Sequence, residues 1–175
     1  MGCDHLIHHG IKGQKWGIRR TPEQLGHKMS NESPKIKLDN GDYLYKKGTV
    51  VGRFGEKLFG NEPTYLYTNK KDRDVYENRI GGTEYTYKLK KSVRVPDENK
   101  QFIELFKYTG DTAVIEDAYT YWKENINQGG KIADGYFKYM QSLGYDALVD
   151  SRNAGVISND PIILLNPKKC LKEVK

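Results

Sequence analysis

Three of the chain's four histidines, one of its two tryptophans and four cationic side chains fall within HLIHHGIKGQKWGIRR, residues 5–20. Histidine close to cysteine invites a metal reading, with Cys3, His5, His8 and His9 as ligands. The spacing Cys-x-His-x2-His-His matches no common zinc site, and adjacent histidines point apart in most backbones, so no metal is expected. The segment offers contact chemistry instead. Trp16, Ile11 and Ile18 form an apolar anchor, edged by Lys12, Lys15, Arg19 and Arg20. Aromatic and arginine side chains are what interface hot spots use. Gly10, Gly13 and Gly17 oppose a helix here, each costing roughly 1 kcal/mol against alanine. A looped segment follows, with His9, Lys12, Lys15, Trp16, Arg19 and Arg20 as expected partner-binding residues. Elsewhere no P-loop, G-x-S-x-G, H-E-x-x-H or paired Cys–His nucleophile pattern occurs. GRFGEKLFG, residues 52–60, departs from the dinucleotide fingerprint.

The elements that must position any chemistry follow from patterning. The length of 175 residues suits one domain with a short appendage. Only 37% of residues are hydrophobic, and thirteen tyrosines supply much of the bulk. The net charge of +6 permits an acidic partner but also simply keeps a small domain soluble. Cys3 and Cys170 sit near opposite ends, so no disulfide framework is expected. No apolar run approaches the ~20 residues of a spanning helix, and no signal-peptide core is present. Leu6 stands where a myristoylation pattern needs Ser or Thr.

Thr21-Pro22 starts a short helix reaching about Met29, and the polar stretch 30–34 separates an appendage, 1–34, from a domain, 35–175. LDNG at 38–41 is a turn. Strands are expected at 43–45, 49–54, 64–68, 145–149 and 162–165, with one long alternating strand over 83–95. Gly52 inside an apolar run marks a bulge or a close approach to the backbone. Asn69 caps a helix over 70–80. Further helices are expected from Asp97 to Gly110, over 113–126 and over 131–143. Residues 150–160 form a polar loop, and the Lys-rich end beyond Pro167 leaves the fold. The class is α+β: a split central β-sheet with strands from both ends of the chain and a helical insert.

HHGIKGQKWGIRR resembles the HHG-x-KG-x-KWG-x-RR signature of tailed-bacteriophage and prophage proteins, often of the head or portal region. That resemblance implies a virion or bacterial host cytoplasm as location, and a head or portal protein as partner of the appendage. Residues 43–167 resemble the ADP-ribosyltransferase fold in the order of their elements. Arg53 ends TVVGR, Tyr67 and Thr68 end YLYT before the helix KKDRDVY, and GYDALVD with SNDPIILLNP supplies Asp150 and Asp160. The resemblance implies NAD as substrate. Arg53 would clamp its pyrophosphate with a bidentate fork. Tyr67 and Thr68 would order the nicotinamide ribose and stack its ring. Asp150 or Asp160 would hold a ribose hydroxyl and stabilise the oxocarbenium-like charge as nicotinamide leaves. Arg53, Tyr67 and Asp160 are thus the expected catalytic set, and Arg53, Tyr67, Thr68 and Asp150 the expected NAD contacts. The reading requires these side chains to meet in one cleft.

The expected function is mono-ADP-ribosylation of a host or defence protein. A second reading is a non-catalytic head- or portal-associated interaction protein. A third is a weak nucleic-acid contact through the N-terminal cations and Lys168, Lys169, Lys172 and Lys175, which would weaken steeply with salt.

Overall fold

A computed structural model describes residues 29–58 and 60–174. The helix expected from Thr21 and the partner-binding residues His9, Lys12, Lys15, Trp16, Arg19 and Arg20 lie outside the described residues. Nine strands are described: β1 (Lys35–Lys37), β2 (Tyr43–Tyr45), β3 (Val50–Phe54), β4 (Thr64–Leu66), β5 (Glu84–Leu89), β6 (Val93–Val95), β7 (Ala147–Val149), β8 (Ile162–Leu164) and β9 (Leu171–Glu173). Six helices accompany them: α1 (Lys70–Arg79), α2 (Glu98–Thr109), α3 (Ala113–Glu116), α4 (Ala118–Tyr121), α5 (Lys131–Ser142) and α6 (Pro167–Cys170). A π-helical turn, Trp122–Ile126, follows α4. The fold is α+β, and every ladder between the described strands is antiparallel.

The strands form three ladders, β1-β2-β6, β3-β5-β9 and β4-β8-β7. Gly52 and Tyr67 exchange two backbone hydrogen bonds of 3.1 and 2.9 Å, which join the last two ladders. Six strands therefore follow one another as β7-β8-β4-β3-β5-β9. One apolar layer, including Val51, Leu66, Ile162 and Leu164, packs against Tyr45, Val93 and Val95 of the β1-β2-β6 sheet. On the opposite side, Leu148 and Ile163 are covered by Trp122, Tyr136 and Met140 of the helical insert. Ile162 to Leu164 is buried throughout, as its continuous apolar run requires.

Three expectations are corrected. The strand expected over 83–95 is two strands in different sheets, because Lys90 and Lys91 are both exposed and break the alternation after buried Leu89. The helix expected over 113–126 breaks at Asp117, whose carboxylate accepts from Thr120 N at 3.0 Å and starts α4. The C-terminal end does not leave the fold: Asn166 caps α6, Cys170 is buried in the core, and β9 pairs with β5.

Polar side chains complete what the short strands leave open. Gln101 is fully buried at the free side of β7, where its amide donates to Val149 O and accepts from Val149 N, at 3.0 and 2.8 Å. It stands in for a neighbouring strand. Asp72, 1% exposed in the first turn of α1, accepts from Asn159 N and Asp160 N at 2.6 and 2.9 Å. That pair fixes the loop before β8 onto α1. Asp42 is fully buried before β2 and accepts from Arg94 of β6 and Lys100 of α2.

Candidate functional site

The side chains expected to converge are divided among three places. Gly52 and Arg53 are neighbours on β3, so they face opposite sides of the sheet. A Cβ on Gly52 would lie 2.2 Å from the Tyr67 hydroxyl, so the Tyr67 ring crosses the Gly52 face. Arg53 is therefore on the side away from Tyr67. Its guanidinium donates to Thr64 Oγ1 at 2.9 Å, in a recess of about 270 Å³ beside Leu58 and Pro167.

Tyr67 is 1% exposed and its hydroxyl donates to Glu84 Oε1 at 2.6 Å. Glu84 also accepts both arms of the Arg73 guanidinium, at 2.9 and 2.8 Å. Burial pushes the Glu84 carboxyl up, but the bonds from Arg73 and Tyr67 outweigh it and hold it below the usual range. The Tyr67 phenol is thus one member of an ionised, packed network.

Asp160 forms an ion pair with Lys35, and its carbonyl accepts from Thr68 Oγ1 at 3.1 Å. Thr68 and Thr64 are four residues apart along extended chain, so about 13 Å of strand separates the threonine that Asp160 holds from the one that Arg53 holds. The expected catalytic set Arg53, Tyr67 and Asp160 does not form one constellation. Thr68 is fully buried on the Asp160 side.

Asp150 occupies the position that gathers most chemistry. It is fully buried, and one carboxylate oxygen, Oδ2, accepts from Asn153 Nδ2 at 2.5 Å. Its other oxygen, Oδ1, is buried with no hydrogen-bond partner among the described residues. Burial pushes its carboxyl above the usual range, against the bonds from Asn153 and the Arg152 backbone. Two phenols feel this carboxylate. Tyr65 is pushed up to about 12, first by burial of its hydroxyl and then by Asp150. Tyr76 of α1 is pushed up to about 12 by the same two causes. Tyr65 leaves 39% of its surface exposed, while its hydroxyl is held on Asn127 Oδ1 at 3.0 Å. Asn127 Nδ2 is in turn buried and has no partner among the described residues. Tyr76 continues the aromatic row to Tyr67, with ring centroids 6.2 Å apart.

No protein-family model matches this chain, and no curated protein or solved structure does so either. The site therefore has to be read from its own groups. Tyr65 is hydrogen-bonded to Asn127, and the Asp150 carboxylate acts electrostatically on both Tyr65 and Tyr76; among the described residues Asp150 has an unpaired acceptor and Asn127 an unpaired donor. Such orphans cost free energy in an apolar setting and need an explanation. Of the expected residues, Asp150 is one of these four and Tyr67 adjoins Tyr76. Tyr65, Tyr76 and Asn127 were not among the expected residues. Asn127 owes its place to the π-helical turn, whose wider winding ends on it with a 2.9 Å bond to Trp122 O. Among the described residues no group of three His, Cys, Asp or Glu side chains could hold a metal ion.

Proposed function

We propose that this protein binds NAD through an ADP-ribosyltransferase-like domain and transfers ADP-ribose to a host or defence protein. The observation that carries the proposal is the pair of buried orphans. Asn127, whose Oδ1 holds the Tyr65 hydroxyl, has an unpaired donor in Nδ2, and Asp150, whose charge acts on the Tyr65 phenol, has an unpaired acceptor in Oδ1, among the described residues. An aromatic carboxamide supplies the complement: a carbonyl for Asn127 and an N–H for Asp150, on a ring that can pack against a phenol. Nicotinamide has that chemistry. The order β3, β4, α1, β5, helices, β7, loop, β8 also supports the fold that residues 43–167 resemble.

In this reading the roles shift within the chain. Asp150 keeps the NAD contact that the resemblance implies, now at the carboxamide. Arg53 faces away, and Arg152, exposed and within electrostatic reach of Asp150 and Tyr65, is the cation available for the pyrophosphate. Transfer breaks the bond from ribose C1′ to nicotinamide nitrogen. The pair of electrons leaves with nicotinamide, and an acceptor nucleophile closes on C1′ with loss of a proton.

The test is a titration of the full chain with NAD, read by saturation-transfer NMR on the nicotinamide protons and by release of free nicotinamide. Asn127→Ala and Asp150→Ala should each weaken binding about tenfold, the value of one hydrogen bond to a buried partner. Arg53→Ala should leave affinity within about twofold. Absence of binding at millimolar NAD overturns the proposal, as does loss of binding in Arg53→Ala with retention in Asp150→Ala. The N-terminal signature would bring this domain to a phage head or portal partner. Deleting residues 1–20 should then abolish incorporation into heads while NAD binding persists.

A further inference from the structure

A second recess, about 380 Å³, lies between β1, β2, the start of α2 and the turn before β8. It goes beyond the NAD reading and does not depend on it. Its lining includes one cation, Lys35, and three carboxylates, Asp97, Glu98 and Asp160. The chain as a whole carries +6, so this is a local reversal of sign. A pyrophosphate would meet net repulsion there.

The groups are arranged to receive a cation. Lys35 Nζ sits 4.5 Å from the centre of the Tyr43 ring and is ion-paired with Asp160. The recess thus already seats one alkylammonium, between an aromatic face and a carboxylate. Across it, Glu98 Oε2 accepts from the Tyr119 hydroxyl at 2.9 Å. Glu98 Oε1 is buried with no hydrogen-bond partner among the described residues. Tyr119 is itself braced edge-on by Phe102, with centroids 5.1 Å apart, and 55% of it remains exposed. Asp97 caps the twelve-residue helix α2 and Glu98 is its first residue, so both carboxylates stand at the helix start that borders the recess. An exposed ring, an unpaired carboxylate oxygen and a second acid in the lining are the components of a cation seat.

We propose that this recess binds a lysine or arginine side chain presented by a basic segment of a partner protein. The incoming cation bonds Glu98 Oε1, lies against Tyr119, and competes with Lys35 for Asp160. Lys35 acts as a resident counter-ion that keeps the site closed to weakly basic or neutral groups.

The full chain would be titrated with N-acetylarginine amide and N-acetyllysine amide, with N-acetylglutamine amide as the neutral control. Binding would be followed by the ring resonances of Tyr43 and Tyr119, assigned with Tyr→Phe variants. Saturable binding of both cationic probes is expected, and none of the neutral one. Glu98→Gln and Asp160→Asn should each weaken it about tenfold, the value of a charge-assisted hydrogen bond. Lys35→Met should tighten it about threefold, because a competing cation is gone. A merely structural Lys35 would not give that sign. Far-UV circular dichroism and the melting temperature establish that each variant is folded. Equal binding of the glutamine probe overturns the proposal, as does weaker binding in Lys35→Met, or no saturation of either cationic probe by about 10 mM. NAD binding is read separately, so failure here leaves that reading standing.

Discussion

Replacing Asp42 with asparagine is the sharpest test of what holds the two halves of the fold together. The carboxylate is fully buried, yet it accepts from Arg94 Nε and Nη2 at 2.8 and 2.5 Å, from Lys100 Nζ at 2.8 Å, and from the Tyr145 hydroxyl at 3.3 Å. These donors come from β6, from α2 and from just before β7, so one anion ties three elements to the entry of β2. Burial alone pushes the Asp42 carboxyl up, but the bonds from Lys100 and Arg94 outweigh it and hold it below the usual range. Removing one member of a buried pair costs about 3–5 kcal/mol when the survivor stays desolvated. Arg94 and Lys100 keep 35% of their side chains exposed and can turn to water, which reduces the figure. Asp42→Asn should therefore cost about 2–4 kcal/mol, or about 5–15 °C in melting temperature at this chain length. Urea unfolding at pH 7 measures the first and calorimetry the second. The pH dependence has a definite sign. A carboxyl held below its unfolded value contributes stability that is fully present above that value, near 3.8, and is lost as pH falls through the folded one. The gap between the native protein and Asp42→Asn should then be constant from pH 7 to 5 and narrow below about 4. A loss under about 1 kcal/mol, or a gap that widens in acid, would refute the reasoning.

Gly52→Ala and Gly135→Ala form a contrasting pair. At Gly52 the new methyl meets the hydroxyl of buried Tyr67 at 2.2 Å, and Tyr67 is fixed on Glu84, so about 1–3 kcal/mol should be lost in denaturant unfolding. At Gly135 the neighbour is the hydroxyl of Tyr108 at 1.9 Å, but Tyr108 is 38% exposed and can swing aside. That helical substitution should be neutral to stabilising by roughly 1 kcal/mol. Asp150→Asn should stabilise the fold by about 1 kcal/mol at pH 7, because it discharges a buried carboxylate with an unpaired oxygen. Its folded value is raised, so the penalty of the native Asp150 is absent below the unfolded value and grows as pH rises. Equal stability of the two proteins at pH 7 would remove the strain that the NAD reading invokes. Gln101→Leu leaves the Val149 N–H unpaired at the side of β7, while Val149 O keeps its bond from Ser151 N, and should cost about 1–3 kcal/mol, read by urea unfolding.

Local chemistry made much of the fold legible. Asn69 and Asp97 stand where their side chains cap α1 and α2, and Gly110 takes the left-handed conformation that ends α2. The apolar alternation of Tyr87 and Leu89 located β5. What failed were places where a pattern changes partner without changing character. Thr83 to Val95 reads as one strand because β-branched and aromatic residues stand at both ends of it. Only the paired exposure of Lys90 and Lys91 reveals the step into another sheet. The lysines at 168, 169 and 172 likewise concealed buried Pro167 before them and buried Cys170 and Leu171 between them.

The site was less legible for a different reason. Gly52 was readable as a point of close approach, and the Tyr67 ring is what approaches. The consequence, that Arg53 must then face the other way, follows only once the partner of Gly52 is known. A period of two fixes which residues share a face, not which face a ligand uses. Asp150 and Asn127 show the same limit across a longer stretch of chain. Asn127 sits in a polar stretch before two glycines and gives no signal of its own. It reaches Tyr65 because the helix winds wide over Trp122 to Ile126, and nothing in residue type marks that turn. A donor unpaired on the amide that holds the Tyr65 hydroxyl, and an acceptor unpaired on a carboxylate whose charge that phenol feels, are therefore a property of the assembled fold. If they are there for a ligand, supplying an aromatic carboxamide should raise the melting temperature of the native chain, and the gain should vanish when Asn127 and Asp150 are both alanine.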